Sequence, residues 1–213
     1  MTSMNLMPLF ASNLILVNLD KKFNNIDKDK IIFNLSTHGK NQNTDISNSM
    51  YVLEDYLELG HHILDIFHEY TFNTLKLKNK FTFSTSWFTR CKPNDFCRFH
   101  NHCNSFYSGL FYFDDYDDNS GDICFLNPNN QIEKFLITIK DKQDANIHNS
   151  KEWFVKPKKN LLLFFPSYLW HAVMNNTSDN PRHSLAFNFI PIGEYGVSDS
   201  TYNTNWFHTG GEQ

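Results

Sequence analysis

The chain has 213 residues, with 19 Lys and Arg, 23 Asp and Glu, and a formal net charge of −4. Its 21 Phe, 9 Tyr and 4 Trp require a large apolar core, which excludes an intrinsically disordered protein. The acidic balance supplies no basic face for neutralising phosphates, so we expect no nucleic-acid partner. No apolar stretch approaches the roughly 20 residues that a membrane-spanning helix needs, so we expect no membrane partner.

The N-terminal part is predicted to contain a strand followed by a helical region. Residues 8–19 are apolar, and the N-terminus lacks a basic start and a small-residue cleavage site, so we expect an edge strand and not a signal peptide. Residues 35–50 are polar and are predicted to form a loop. From 50 to 77 apolar residues recur at helical spacing, and Gly60 is the expected division between two helices.

After residue 80 the pattern changes to period two, which is typical of half-buried strands. Eight or nine short strands separated by turn clusters predict a mainly β, antiparallel jelly roll or small barrel. The predicted strands are 81–89, 96–102, 107–113, 122–126, 134–139, 152–156, 160–165, 169–174 and 182–190. We therefore expect one domain, with support from 1–80, a β core at 81–192 and a partly ordered tail at 193–213.

The four cysteines predict a reducing compartment. They form no CxxC pair, and a disulfide framework is not expected in a chain of this size. We therefore expect a cytoplasmic protein with reduced thiols at Cys91, Cys97, Cys103 and Cys124.

Two histidines are separated by one residue on a predicted strand. Period two places the imidazoles of His100 and His102 on one face, as a strand would offer two ligands to one metal ion. His171 follows a later strand after a turn, and a jelly roll allows the three to converge. An H-x-H pair alone also occurs among surface or satisfied polar residues. His183, next to Arg182, is predicted to point to the opposite face of its strand.

The residues downstream of His171 give a more specific signal. His171 is followed by ten residues, then Arg182, one residue and Ser184. Strand alternation points Arg182 and Ser184 together into the barrel. A buried Arg is costly unless it meets a carboxylate, either from a protein side chain or from a bound dicarboxylate. This H-x10-R-x-S pattern resembles the distal half of the iron(II)/2-oxoglutarate dioxygenase signature.

The wider segment 81–191 resembles a family of small 2-oxoglutarate/iron oxygenase-like proteins of marine bacteria and their phages. The matching pieces are Ser86-Trp87, His100-x-His102, Ser108-Gly109-Leu110-Phe111-Tyr112, Gly121-Asp122, Leu163-Phe164-Phe165-Pro166-Ser167 with Leu169 and His171, and Arg182-x-Ser184 through Asn188. The resemblance implies a double-stranded β-helix with helices packed on one side.

The resemblance also implies a site and an activity. Fe(II) would be held by His100, His102 and His171, and the C5 carboxylate of 2-oxoglutarate would meet Arg182 and Ser184. The implied enzyme is a dioxygenase that uses O2 to hydroxylate a substrate and releases succinate and CO2.

Two positions depart from the superfamily. The first motif usually reads H-x-D, the carboxylate of a 2-His-1-carboxylate triad, but His102 stands there; Asp114 or Asp122 is the alternative third ligand. Relatives often carry Tyr-Tyr after Ser-Gly, whereas this chain has Phe111-Tyr112. A tyrosine hydroxyl that assists the cosubstrate carboxylate is therefore expected to be missing.

Two other interpretations stay open. A cupin-like three-His metalloprotein that does not use 2-oxoglutarate explains the H-x-H pair but leaves Arg182 without a role. In a non-enzymatic jelly-roll binding or structural protein, the histidines are incidental. The substrate of an oxygenase would be a small molecule or a protein side chain. Phe106, Tyr107 and Trp170 are expected either to line its entrance or to pack in the core.

Overall fold

The computed structural model describes residues 11–20, 23, 25–35, 44–129 and 146–204. These residues contain one α-helix, α1, at Leu57–Asn73, and no helix in them is both long and apolar enough to cross a membrane. The strands of the described residues are β1 Ile15–Asn18, β2 Phe33–Leu35, β3 Asp45–Ser47, β4 Phe81–Cys91, β5 Cys97–His100, β6 Tyr107–Tyr112, β7 Ile123–Leu126, β8 Glu152–Val155, β9 Leu161–Pro166, β10 His171–Val173, β11 Arg182–Pro191, β12 Glu194–Tyr195 and β13 Tyr202–Asn203.

Two antiparallel sheets face each other. The larger has the strand order β1-β9-β6-β11-β4-β3-β2 and the smaller has the order β5-β10-β7-β8. Strands β5 to β7 and β9 to β11 alternate between the sheets along the chain, which is the connectivity of a jelly roll. The short strands β12 and β13 form a separate hairpin.

Strand β11 separates two apolar cores because its side chains alternate between the faces of the large sheet. On the outer face, Leu185, Phe187 and Phe189 are fully buried in the core beneath α1, and Phe189 stacks on Phe67 of the helix with ring centroids 4.0 Å apart. On the inner face, Ala186 belongs to the core between the sheets. The helix therefore covers the outer face and leaves the inner face to the space between the sheets.

Gly109 of β6 allows the outer core to close. A Cβ atom on this residue would lie 2.3 Å from Cε2 of Phe187 and 2.7 Å from the carbonyl oxygen of Leu163. Neither neighbour can move away easily, since one is a core ring and the other is backbone. The Ser-Gly pair in the sequence thus reflects close packing of β6 against its neighbours.

Two expectations about the N-terminal half are wrong. The polar segment 35–50, predicted as a loop, contains β3, because the buried carboxylate of Asp45 is paired with Arg90 at 2.6 Å and Lys92 at 2.9 Å. Gly60 does not divide the helical segment: it is buried inside α1, which is preceded by a separate 3-10 turn at Val52–Glu54.

Other expectations concern the ends of the chain and one insertion. Strand β1 lies at the edge of the large sheet, as predicted for residues 8–19, of which residues 8–10 lie outside the described residues. The predicted strand 134–139 also lies outside them. The described start of the tail forms the β12–β13 hairpin, which sequence alone did not predict.

Phe67 tests how strongly the helix is held. We expect Phe67→Ala to lower the free energy of unfolding by about 3–5 kcal/mol, because it removes a fully buried ring and leaves a cavity. Chemical denaturation followed by circular dichroism measures this. The matched control is Phe72→Ala in the same helix, where the ring is 64% exposed and the expected change is within about 0.5 kcal/mol. Equal losses in the two variants would contradict the packing described.

Candidate metal centre and carboxylate pocket

Three imidazoles converge between the sheets. One ring nitrogen from each of His100, His102 and His171 lies within 4.8 Å of the other two. His100 ends β5 and is in register with His171, the first residue of β10. His102 lies beyond the end of β5, contrary to the predicted strand 96–102, and its backbone N–H donates to the carbonyl of Ser167 at 2.9 Å. That hydrogen bond, and not strand alternation, positions the third imidazole.

The hydrogen bonds of two imidazoles fix which nitrogen can bind a metal. Nδ1 of His100 lies 2.8 Å from the carbonyl of Arg98, and Nδ1 of His171 lies 2.9 Å from that of Leu169. A carbonyl can only accept, so both Nδ1 atoms carry the proton and both Nε2 atoms carry a lone pair. Such second hydrogen bonds are typical of metal-ligating histidines, since they hold the ring and its tautomer.

Burial keeps His102 and His171 neutral. It lowers the pKa of His171 well below the usual value, with a further contribution from His100. Burial and then His100 lower the pKa of His102 to about 4. Neutral imidazole is the form that binds metal ions, so these two histidines are in their ligating form at neutral pH.

The two alternative carboxylates do not join the cluster. Asp114 accepts hydrogen bonds from Lys28 at 2.7 Å and from His183 at 2.9 Å. His183 therefore points to the other face of β11 from Arg182, as predicted. Asp122 precedes β7 by one residue, and Phe125 is the β7 residue in register with His171, so Asp122 is displaced by about 10 Å along the strand. Among the described residues, the cluster consists of the three histidines alone.

A buried arginine lies at the other end of β11's inner face. Arg182 is 1% exposed, and its Nη2 donates to the hydroxyl of Tyr112 at 2.7 Å. Its Nε has no hydrogen-bond partner, and no carboxylate of the described residues pairs with it. A buried cation with an unused donor carries a large desolvation cost. The pocket is therefore suited to an anionic ligand that accepts from a guanidinium.

Tyr112 supplies a second donor there. Its oxygen accepts from Arg182, which leaves its own O–H to donate, and burial raises its pKa so that the phenol stays protonated. The expectation of a missing hydroxyl is therefore wrong: alternation along β6 places Tyr112 between the sheets, whereas Phe111 belongs to the outer core. Replacing the first tyrosine of the pair changes the core and not the pocket.

Ser184 shares the inner face of β11 with Arg182. Its side chain is buried, and its Oγ lies 2.7 Å from Oγ1 of Thr89 on the neighbouring strand. Arg182, Tyr112 and Ser184 therefore present a cation and two hydroxyls on one wall. This donor set fits the distal carboxylate of a dicarboxylate such as 2-oxoglutarate, and the three imidazoles fit a divalent metal such as Fe(II).

The three aromatic residues considered for a substrate entrance differ in burial. Tyr107 is buried in the outer core, whereas Phe106 and Trp170 are 40% and 50% exposed. Phe106 packs against Phe81 with ring centroids 5.2 Å apart and lines a surface cavity of about 480 Å³ beside the segment that follows His102.

Comparison with known proteins identifies the central segment. Residues 85–188 match the model of a family described as "Putative 2OG-Fe(II) oxygenase". This segment, just under half of the chain, matches the 2OG-Fe(II) oxygenase family. The match confirms the predicted family and its enzyme class, the oxidoreductases; it carries no support for a marine bacterial or phage origin. No curated protein matches the chain.

Solved structures support the same fold. A 2OG-Fe(II) family oxidoreductase from Burkholderia pseudomallei is 10% identical, with a TM-score of 0.53 over 76% of this chain and 72% of its own. HygX from Streptomyces hygroscopicus, with nickel, 2-oxoglutarate and hygromycin B bound, is 9% identical, with a TM-score of 0.56 over 84% and 83%. A Trichoplax adhaerens prolyl hydroxylase in complex with a peptide fragment is 11% identical, with a TM-score of 0.50 over 70% and 64%. The predicted double-stranded β-helix is confirmed.

Substitution of His102 tests the three-histidine cluster. We expect His102→Ala to weaken Fe(II) or Ni(II) binding by about 100-fold or more, since it removes one of three ligands, and His102→Asp to retain metal because a carboxylate also ligates. Anaerobic isothermal titration with each metal measures this.

The matched control is His61→Ala on the exposed surface of α1, which should leave metal affinity unchanged. Normal metal binding by His102→Ala would exclude His102 from the site.

Proposed function

We propose that this protein is an Fe(II)- and 2-oxoglutarate-dependent dioxygenase that hydroxylates a substrate. The observation that carries the proposal is the buried guanidinium of Arg182, with an unsatisfied Nε, on the strand face that leads to three converging imidazoles. Neither group alone would distinguish an oxygenase from another metal-binding or anion-binding protein. Together they match a ligand that is a carboxylate at one end and a metal chelator at the other.

The imidazoles of His100, His102 and His171 would hold Fe(II) through one nitrogen each. For His100 and His171 that nitrogen is Nε2, because their Nδ1 protons are donated to backbone carbonyls. Those hydrogen bonds fix both rings before metal arrives, so little conformational entropy is lost on binding. Three neutral ligands leave room around the ion for the 2-oxo acid and O2.

Arg182 would bind the C5 carboxylate of 2-oxoglutarate, with hydrogen bonds from Ser184 and from the free O–H of Tyr112. A charge-assisted contact in a dry pocket is stronger than one in water. It would also satisfy the Nε of Arg182, so binding recovers part of the cost of burying that side chain.

Bound iron and 2-oxoglutarate would supply the oxidising chemistry, in which 2-oxoglutarate, O2 and a substrate C–H group yield succinate, CO2 and an alcohol. The protein itself would position the reactants and exclude water from the site. Leu110, Ile123, Leu163 and Phe165 are buried between the sheets and keep water away from the space between Arg182 and the imidazoles.

The two rival functions leave observations without a cause. A cupin-like metalloprotein would use the imidazoles but would bury Arg182 without an anion. A non-enzymatic jelly roll would require neither group. Both rivals would therefore have to carry a desolvation cost that serves nothing.

The substrate class we propose is a small molecule or a peptide side chain. HygX was solved with hygromycin B bound and the prolyl hydroxylase with a peptide fragment, so the fold accommodates both classes. The exposed rings of Phe106 and Trp170 would border the entrance. We also propose a reducing, cytoplasmic setting, which the four unpaired cysteines support.

Anaerobic titration of 2-oxoglutarate into Fe(II)-loaded protein tests the function. The proposed enzyme develops a weak metal-to-ligand charge-transfer band in visible light, and admission of O2 releases succinate and CO2. A cupin-like protein binds iron without the band, and a structural protein binds neither ligand.

Arg182→Ala tests the carboxylate anchor. We expect it to weaken 2-oxoglutarate binding about 30- to 1000-fold, equivalent to roughly 2–4 kcal/mol for a charge-assisted bidentate contact, while Fe(II) affinity stays nearly unchanged. The charge-transfer titration and isothermal titration with Fe(II) measure the two affinities.

The matched control is Arg90→Ala, which removes an arginine that pairs with Asp45 on the neighbouring strand and should leave 2-oxoglutarate affinity unchanged. Unchanged cosubstrate affinity in Arg182→Ala would favour the cupin-like alternative.

A further inference from the structure

We propose that Asn188 is a second anchor for 2-oxoglutarate and donates a hydrogen bond to the C1 carboxylate, beside the oxo group. This inference rests on the proposed function. It concerns the end of the cosubstrate opposite Arg182, for which the sequence pattern H-x10-R-x-S names no residue.

Asn188 faces the metal cluster across the barrel. It lies on the inner face of β11, in register with Ser108 of β6 and Thr85 of β4. Ser108 is in register with Phe165 of β9, whose ring lies 4.7 Å from that of His171 on the opposite sheet. The row of the large sheet that contains Asn188 therefore stands opposite the row of the small sheet that contains the imidazoles.

A directional chain of hydrogen bonds holds the Asn188 amide. The hydroxyl of Ser108 donates to Oδ1 of Asn188 at 2.7 Å, so in its 2.8 Å bond with Ser167 it must accept. Nδ2 of Asn188 donates one proton to Oγ1 of Thr85 at 2.9 Å. These bonds fix the side chain and its orientation without using all of its donors.

Two donors in this series of hydrogen bonds find no acceptor among the described residues. They are the second N–H of Asn188 and the hydroxyl proton of Thr85. Both lie at the same end of the hydrogen-bond series. That end therefore has unused donors and not unused acceptors. A ligand group that only accepts, such as a carboxylate, is the complement of this end.

The inner face of β11 matches a 2-oxo dicarboxylate along its length. Arg182 and Ser184 are followed by Ala186, a small apolar residue, and then by Asn188. Ser184 and Asn188 are about 13 Å apart along the strand, a span that a five-carbon dicarboxylate fills when it is hydrogen-bonded at both ends. Ala186 has a short side chain, and its partners in register, Leu110 and Trp87, are the apolar residues that the two methylene groups would contact.

Comparing two ligands separates the two anchors. The experiment titrates 2-oxoglutarate and pyruvate, a 2-oxo acid without the distal carboxylate, into the anaerobic Fe(II)-loaded protein and its variants. Asn188→Ala should weaken both ligands about 10- to 100-fold, the range for one hydrogen bond to a charged group. Arg182→Ala should weaken 2-oxoglutarate alone, because pyruvate has no group to reach Arg182.

Two more variants exclude a trivial loss of fold. Asn188→Asp keeps the side-chain shape but presents an anion to the C1 carboxylate, so it should weaken both ligands at least as much as Asn188→Ala. Asn119→Ala, in an exposed turn, should change neither affinity. Fe(II) affinity and the thermal unfolding midpoint show whether each variant keeps the site and the fold.

The outcomes also separate this inference from the proposed function. If Arg182→Ala weakens 2-oxoglutarate but neither Asn188 variant changes either ligand, the second anchor is wrong and the function stands. If Asn188→Ala weakens 2-oxoglutarate and leaves pyruvate unchanged, the contact is not with C1 and the inference fails. If the unmodified protein binds no 2-oxo acid, both proposals fall.

Discussion

The burial of Arg182 is the constraint on which the rest of the site depends. A guanidinium 1% exposed to solvent is held by one hydrogen bond to Tyr112 and by the face of the same ring, whose centroid is 5.0 Å from Cζ. Both contacts are weaker than a carboxylate pair, so the arginine costs stability in the free protein. In the proposed function the missing anion arrives as a ligand, and the surrounding strands hold Arg182 where it would bind that ligand.

That arrangement requires a fixed register of β11. A slip of one residue would turn Arg182 and Asn188 outward and bring Phe187 and Phe189 between the sheets. The outer core prevents this, because Phe189 stacks on Phe67 and Phe187 fits over Gly109 without room for a Cβ. The pairing of β11 with β4 shifts in register between Asn188 and Phe189. Thr85 of β4 therefore lies beside Asn188, while the next core residue of β4 still faces the helix. Packing on one face thus positions the chemistry on the other.

Alternation along the sequence predicts which side chains share a face when both residues lie on one strand. It placed Arg182 with Ser184, and His183 on the opposite face, because period two needs no knowledge of neighbouring strands. For His102 it predicted the correct position for the wrong reason. Strand β5 ends before that residue, and a backbone hydrogen bond to Ser167 positions it. Contacts between strands were not predictable from spacing. Neither the hydroxyl of Tyr112 on Arg182 nor the chain from Ser108 to Thr85 has a local signature. Strand β3 was missed because its burial depends on an ion pair between Asp45 and distant cations.

In the proposed site, the third histidine would also favour a neutral hydrogen-bond donor at position 188. A 2-His-1-carboxylate site would bring one negative charge to Fe(II), whereas three imidazoles bring none. The metal and Arg182 would then place positive charge at both ends of the pocket, with a dianionic cosubstrate between them. A further cation at 188 would add like-charge repulsion close to the metal. An amide adds a directional donor and no charge, and Ser108 and Thr85 supply the orientation that an ion pair would otherwise provide. In the proposed site, a third imidazole in place of a carboxylate and an amide at position 188 would therefore be two parts of one charge balance.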